Sequence, residues 1–567
     1  MSDRLQDAKP ETQPWGILFK VTLSILLLNF LTSFYNIWAT PLVRPGAEIG
    51  ADFVGLWLIV LILVARFGNI GHRMLTLLTG LFLAMVVARY FDVTVPYWLG
   101  RKMNLYWDVQ HLPRFVEDTA DQYAGWQILG MVIALLVGIW LLVRLIRLCI
   151  GILARHAAPF ALRSPVALAV TALLAGLVIA GLFNVEAARP YVSGPAIQLY
   201  QRQAHILAAA LSPGRFRSEL PDSPSLHSDL TALNGAEVKV IFLESYGATT
   251  YEQAALFDAI QPAREALEQA ALTQGRVTLS ALVEAAAFGG ASDLSHLSFL
   301  SGIDLTDPLR HDLLITTDRP TMTDTFERAG YRTIGLYPAM SWAWPEVSYY
   351  DFDHYYDAPA LDYRGPRFGL WWLPDQFSMA RVNELHPPDP AGKPRFVFYP
   401  TITTHMPFRP TPPYQPDWSR VTTESPYSEE ATARAMADKI DWSDLFQGYI
   451  NTFNYTFEWI AGYQSVTQPR EAVMILVGDH QPDGRITGYG ASWNVPVHII
   501  TSNEVIADRL RAIGFRDGMN PARESLGHIS DLSLMLLSAF DSGGMSSAGG
   551  KPDIKEPGPR DTRVSTR

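Results

Sequence analysis

Glu244, Ser292, His405 and the adjacent pair Asp479–His480 are spread over the second half of this 567-residue chain, and their types suit one metal-centred site for phosphate chemistry. Glu244 closes the apolar run Val-Lys-Val-Ile-Phe-Leu-Glu-Ser at 238–245. Asp479 and His480 close another, Ala-Val-Met-Ile-Leu-Val-Gly-Asp-His at 472–480. Short β-rich runs that end abruptly in acidic or imidazole groups are what strand C-termini look like where an open α/β sheet carries its active site. Two carboxylates and one imidazole can hold a single divalent ion and leave a position open for a nucleophile or a substrate oxygen. Taken singly, each has a plainer reading: a strand-end Glu as a surface charge, a lone His as a packed turn residue.

The elements that must position these groups alternate. Strand-like runs fall at Val238–Leu243, Arg332–Leu336, Arg395–Tyr399, Ala472–Val477 and Val495–Ile500, with helix-like stretches at Thr250–Ala271, Asp318–Ala329 and Trp442–Val466 between them. That pattern predicts an α/β domain with a mainly parallel sheet between helices, over residues 237–540. Residues 186–236 read as a connecting helix and linker, and 541–567 as a disordered tail rich in Ser, Gly, Pro and charge. Tyr449, Thr452, Tyr455 and Thr456 recur at helical spacing and read as core.

The first 185 residues are of another kind. Five apolar runs, at roughly 15–38, 49–65, 74–88, 126–143 and 165–183, approach or exceed the ~17–25 residues that cross a bilayer as a helix. They predict a five-helix transmembrane bundle, with the first run an anchor, since no small-residue cleavage site follows it. Arg66 and Arg73 lie between the second and third runs, and Arg144, Arg147, Arg155 and Arg163 between the fourth and fifth. Under the positive-inside rule both loops face the cytoplasm, which puts everything after residue 185 outside. Segment 89–125 then lies outside as well, where Tyr90, Tyr97, Trp98, Tyr106 and Trp107 suit the membrane–water boundary. The single cysteine, Cys149, leaves the external part without any disulfide, and a net charge of −11 argues against a nucleic-acid partner.

With Phe-Leu-Glu-Ser-Tyr-Gly at 242–247, Thr-Thr-His-Met-Pro-Phe at 403–408 and Val-Gly-Asp-His-Gln-Pro at 477–482, the chain resembles the lipoteichoic acid synthase and sulfatase-like membrane phosphotransferase branch of the alkaline phosphatase superfamily. The resemblance implies one Mn or Zn ion, held by Glu244, Asp479 and His480, with Ser292 as nucleophile in the open position. It implies His405 at the transferred phosphate or leaving group, and Ser295, Tyr337 and Trp344 among substrate-binding positions. Members of this branch move phosphoglycerol or phosphoethanolamine from a phospholipid donor to an envelope glycan, polymer or lipid acceptor. A bacterial inner-membrane location, multi-pass with the catalytic domain on the periplasmic or extracellular side, goes with that likeness.

Departures narrow the implication. Where a lipoteichoic-type member has a His, a Trp seven residues on and an Arg two further, this chain has Tyr337, Trp344 and Glu346. Losing the Arg removes a bidentate phosphate donor. After Ser292 come Asp-Leu-Ser-His rather than the x-Pro-Ser-Arg of a formylglycine sulfatase. In the transferase reading, metal coordination activates the weak Ser292 hydroxyl, a phosphoseryl intermediate forms, and His405 shuttles protons. Two alternatives stand beside it: a membrane-anchored phosphodiesterase or sulfatase-like hydrolase acting through water, and a catalytically dead envelope scaffold, which follows if Ala291 occupies the nucleophile position.

Overall fold

The computed structural model describes residues 14–543 apart from 38–41, 100–102, 104, 111–123, 184, 186, 341–346, 370–371, 390, 442–443, 467–469 and 489. The tail expected from 541 thus falls almost wholly outside the described residues, as do Trp344 and Glu346. The chain divides into two compact units, one running to Ala208 and the other from Ala209, with residues 98–101 assigned to the second. The helix expected within 186–236 is present as Ile197–Leu211, and it straddles this boundary.

In the first unit, four described helical segments are long and apolar enough to cross a membrane: Trp15–Ser33, His72–Val95, Gly125–Arg163 and Pro165–Leu182. The second run folds as a 17-residue helix, Ala51–Phe67, at the short limit of the ~17–25 residues that span. Two expectations change. The third run is not the shortest span, because its polar flanks join a 28-residue helix, His72–Leu99. Arg89 in that helix is buried and donates twice to the Phe34 carbonyl, so its charge does not end the helix. The basic stretch 144–163 is helical rather than a loop: Gly125–Ile152 continues through a π turn, Leu153–Ala157, into Ala158–Arg163. The break comes at Ser164, whose hydroxyl accepts the Ala167 amide, with Pro165 in the first helical position.

The second unit is built on a nine-stranded sheet. Its strands are β1 Glu237–Leu243, β2 Val277–Glu284, β3 Arg332–Tyr337, β4 His354–Asp357, β5 Arg395–Pro400, β6 Ala472–Gly478, β7 Asn494–Thr501, β8 Arg516–Asp517 and β9 Ser525–His528. They run in the order β8-β2-β7-β6-β1-β5-β3-β4, with β9 beside β2. The core from β6 to β4 is parallel, as expected, but the sheet as a whole is mixed: β7 is antiparallel to both β6 and β2. The reason lies in the connection. A parallel return needs a crossover of a dozen residues or more, usually a helix. Residues 479–493 instead form the loop after Asp479–His480, with one helical turn, Gly484–Thr487, so the chain comes back reversed.

β1, β5 and β6 are buried along their whole length, which is why they read as continuous apolar runs instead of alternating ones. Their period of two sorts residues between two cores. Val238, Val240 and Phe242 face the layer holding α2 (Ser292–Ser301) and α5 (Ile529–Phe540). Ile241 and Leu243 face the layer of α1 (Ala254–Thr273), α3 (Asp375–Leu385) and α4 (Leu445–Gln464). Caps trim the expected helices: Thr321 and Asp324 form a capping box, so Asp318–Ala329 shrinks to Met322–Arg328. Asp444 caps α4 at Leu445.

At the N-terminal edge of the sheet lies a buried ion cluster. Arg395 grips both Glu237 oxygens at 2.6 Å, and Lys239 donates to Glu237 Oε2 at 2.9 Å. Breaking such a group from one side leaves uncompensated buried charge. Arg395→Leu should therefore lower the unfolding free energy of the full chain in detergent by about 3–5 kcal/mol. A loss under ~1 kcal/mol in chemical denaturation would show that the cluster is not a structural anchor.

Candidate metal centre

Because β1, β2, β5 and β6 all point the same way, the chain segments leaving them meet at one edge of the sheet. Glu244 follows β1 and Asp479–His480 follow β6, its direct neighbour. The loop after β5 brings His405, and the one after β2 leads into α2, whose first residue is Ser292.

One ligand atom from each of Glu244, Asp479 and His480 lies within 4.8 Å of the other two, and all three residues are buried. His480 Nε2 stands 3.4 Å from Glu244 Oε1 and 3.8 Å from Asp479 Oδ2. The His480 ring is held by its other nitrogen, 2.7 Å from the Gln481 carbonyl. Since a carbonyl only accepts, Nδ1 carries a hydrogen, and in the neutral ring Nε2 carries the lone pair on the side of the carboxylates. Ser292 Oγ donates to Glu244 Oε2 at 3.1 Å and is 3.4 Å from His480 Nε2. The side chain at this position is that of Ser292, while Ala291 packs against the apolar core. Ala291 takes a left-handed backbone, after Gly289 and Gly290 also at positive φ, and this sharp turn puts Ser292 at the N-terminus of α2.

Neighbours fix the carboxylates. Ser245 bridges them: its amide donates to Asp479 Oδ1 at 2.8 Å and its hydroxyl to Glu244 Oε1 at 2.8 Å. To do both it adopts φ 58°, a left-handed conformation uncommon outside glycine, and the Tyr449 hydroxyl clamps its carbonyl at 2.8 Å. The Glu244 amide donates to Thr401 Oγ1, and Thr404 Oγ1 donates to the Glu244 carbonyl. Asp375, at the start of α3, accepts from the amides of Ile402 and Thr403 at 2.8 and 3.1 Å, which sets the loop that carries His405. His405 Nδ1 lies 2.6 Å from the Met406 carbonyl, so in the neutral ring Nε2 is the basic nitrogen.

The other expected positions sit elsewhere. Ser295 is fully buried one turn into α2, and its hydroxyl accepts the Ala286 amide. Tyr337 ends β3 inside the apolar core, stacked on Phe398 and 6.4 Å from the buried His296 ring. Trp344 lies outside the described residues. Ser245, Thr401, Thr404 and Asp375 were not foreseen. Only Ser245 carried a signal, standing in the Glu-Ser motif itself.

These groups fit a divalent ion. Burial pushes the Asp479 carboxyl well above its ordinary range, and the Glu244 charge pushes it further. Burial would raise Glu244 also, but His480 and His405, with hydrogen bonds from Asp479 and Ser245, bring it down to about 2. Of the two, Asp479 is thus the carboxyl that holds a proton more readily. Two oxygen donors and one nitrogen donor suit Zn or Mn.

Two predictions follow from this geometry. A carboxyl whose folded pKa is raised contributes stability below its unfolded value of ~3.9, and that contribution is lost as pH rises through the folded value. The metal-free protein should thus melt progressively lower as pH rises above about 4, and added Mn or Zn should restore it with release of a proton. Calorimetry in two buffers of different ionisation enthalpy reads that proton; none released would exclude a protonated Asp479. Separately, a Cβ on Gly478 would overlap the Tyr246 carbonyl oxygen, which is backbone and cannot swing aside. Gly478→Ala should lower stability by about 1–3 kcal/mol and weaken metal retention, because Asp479 is the next residue.

Residues 244–504 match the family model described as Sulfatase. No curated protein sequence matches the chain. Among solved structures, the Streptococcus pyogenes phosphoglycerol transferase GacH, in complex with sn-glycerol-1-phosphate, is similar at 12% identity and a TM-score of 0.34, over 60% of this chain and 82% of that one. The lipoteichoic acid synthase LtaP of Listeria monocytogenes is similar at 11% identity and 0.33, over 59% and 78%. The C-terminal periplasmic domain of EcEptC from Escherichia coli is similar at 11% identity and 0.35, over 56% and 84%.

Proposed function

We propose that this chain, whose residues 244–504 match the Sulfatase family model, is a membrane-anchored, metal-dependent transferase of the alkaline phosphatase superfamily. In this reading it moves a phosphoglycerol- or phosphoethanolamine-type group from a phospholipid to an envelope glycan, polymer or lipid. The observation that carries the reading is the Ser292 hydroxyl, poised within reach of Glu244 and His480 at the rim of a buried two-carboxylate, one-imidazole cluster. Five helices, counting the 17-residue Ala51–Phe67, would anchor the domain in a bacterial inner membrane with the N-terminus inside.

Glu244, Asp479 and His480 would hold one Mn or Zn ion, which when bound lowers the pKa of a nearby hydroxyl and offsets negative charge on a phosphoryl group. The chain's own groups do the rest. Glu244 Oε2 accepts from Ser292 and aims its oxygen. Ser292 Oγ attacks phosphorus, the bond to the glyceride oxygen breaks, and the serine's proton ends on that oxygen by way of His405. The product is a phosphoseryl enzyme. An acceptor hydroxyl then attacks phosphorus, its proton ends on Ser292 Oγ through the same imidazole, and the serine is regenerated. The cluster's burial favours this chemistry, because hydrogen bonds and charges are worth more out of water.

Membranes given headgroup-labelled phosphatidylglycerol or phosphatidylethanolamine should move label onto an acceptor and, in a brief exposure, onto Ser292, where mass spectrometry of the digested protein finds it. Ser292→Ala should keep its metal and lose transfer, while Ser292→Thr keeps part of it. His405→Ala should keep metal and slow both half-reactions by ~10²–10⁴-fold. Transfer at the wild-type rate by Ser292→Ala would overturn the mechanism. For topology, a reporter active only outside the cytoplasm should work when fused after Pro224 and fail at Arg155; the reverse pair of results would overturn the orientation.

A further inference from the structure

We infer that the helix Ile197–Leu211 lies flat in the outer boundary of the bilayer, with one apolar stripe sunk among lipid chains. This placement rests on the membrane anchoring proposed above and describes how the chain leaves its last span.

The helix has three faces rather than two. At about 100° per residue, Leu199 and Ile206 fall together, and both are buried. Leu199 packs with Ala88 and Ala196. Ile197, Tyr200, Ala204, Leu207 and Leu211 recur at i, i+3, i+7, i+10 and i+14, one continuous stripe along the helix. All five are exposed, the four large ones at 55, 42, 48 and 73%. Gln198, Gln201 and His205 are exposed as well, and they fall together on the remaining side. A helix on a water-soluble domain needs only a core face and a solvent face. Here the exposed part is itself divided, apolar on one side and polar on the other, which suits a boundary between hydrocarbon and water. None of its exposed residues is Asp, Glu, Lys or Arg.

The chain entering the helix is fastened where apolar helices end. The Ser193 hydroxyl donates to the Thr32 carbonyl at 2.8 Å, one residue before the first of these helices stops at Ser33. Asp52, at the start of Ala51–Phe67, accepts the Ala196 amide at 2.9 Å. In the proposed orientation both are external ends. The Tyr200 hydroxyl then donates to the Ala84 carbonyl of His72–Leu99 at 2.7 Å, so the helix runs against a span instead of away from it. Gln203 binds the Met103 carbonyl and the Leu105 amide, and the short helix beginning there exposes Leu105, Tyr106 and Val109. The stripe thus starts at the rim of the apolar unit. Its flanks favour lipid over a second copy of the chain. A seam for a partner helix carries polar residues on both sides. This stripe has them on one side only, with the protein-facing side on the other.

The test uses the full chain with Cys149→Ala, so that each introduced cysteine is the only one. Single cysteines at Ile197, Ala204, Leu207 and Leu211 on the stripe, and at Gln198, Gln201 and His205 on the polar side, carry a nitroxide. The protein sits in nanodiscs of phosphatidylethanolamine and phosphatidylglycerol, with a label at Leu135, exposed on Gly125–Ile152, as the lipid control. Collisions with oxygen, which concentrates in lipid, and with a water-soluble nickel chelate are read by electron paramagnetic resonance. Stripe sites should match Leu135, with oxygen high and nickel low, and polar-side sites should show a several-fold lower oxygen-to-nickel ratio. The ratio should rise and fall with the helix period of about 3.6 residues. Only variants that keep the wild-type melting curve are compared, and the stripe sites report independently of one another. Nickel reaching stripe and polar sides equally, beside a lipid-exposed Leu135, overturns the placement alone. Exclusion of both reagents from the stripe, with dipolar broadening that disappears on dilution with unlabelled chain, overturns it in favour of a second copy. A nickel-accessible Leu135 overturns the anchoring and this placement with it.

Discussion

Two buried carboxylates held side by side are the constraint on which the catalytic unit depends. Glu244 and Asp479 leave adjacent parallel strands in register, with Gly478 of one opposite Leu243 of the other, so the sheet itself brings them together. Left alone they repel. The fold spends a strained residue on keeping them there, since Ser245 turns left-handed to donate its amide to one and its hydroxyl to the other. A cation between the oxygens would relieve that repulsion.

That constraint propagates outward. Tyr449 reaches from the middle of α4 to secure the Ser245 carbonyl, so the helix layer on one face supports the ligand loop. Gln481 spans the loop after His480, donating to the carbonyls of Ser492 and Asn494 and fastening it to the start of β7. Asp375 does the same for the loop after β5. Burial pushes its carboxyl up to about 6 despite hydrogen bonds from Ile402, Thr403 and Tyr399, so two backbone amides and a phenol are gathered on one buried side chain. These residues set the positions of the loops that carry Glu244, His480 and His405.

The parts of this arrangement that were legible in the sequence are those with a local signal. Runs such as Ala-Val-Met-Ile-Leu-Val ending in Gly-Asp-His declare a buried strand and its terminal ligands within nine residues. β2 has no such signal: Val-Thr-Leu-Ser-Ala-Leu-Val-Glu carries two hydroxyls, and the buried Ser280 hydroxyl is satisfied by His498 on the neighbouring strand, 2.6 Å away, and by the Gly518 carbonyl. The reversal of β7 was equally hidden, because its direction depends on how residues 479–493 are used and not on its own composition. Tyr337 was named through the resemblance, as the position matching a His; its ring turns inward onto Phe398, and burial, with Tyr350 and Tyr355 nearby, raises its phenol well above the usual range. Sequence position places a side chain at an edge, while packing decides which way it faces.

β1 offers a controlled comparison within one strand, because it starts at Glu237 and its last residue, Leu243, precedes Glu244; both carboxylates are buried. At the first, burial pushes the carboxyl up, but Lys239 and Arg395 outweigh it and hold the group below its usual range. The protein answers that charge with its own cations, and the result is a closed structural cluster. At the second end no lysine or arginine is hydrogen-bonded to Glu244 among the described contacts. Its neighbours are an imidazole, a second carboxylate and the Ser292 hydroxyl. A chain that could place a guanidinium 2.6 Å from Glu237 had the means to neutralise Glu244 in the same way. On the proposed function, leaving that charge to a dissociable ion would keep a coordination position open for a hydroxyl and a phosphoryl oxygen, which a fixed guanidinium would close. The two ends of one strand would then differ as a structural anchor differs from a reactive centre.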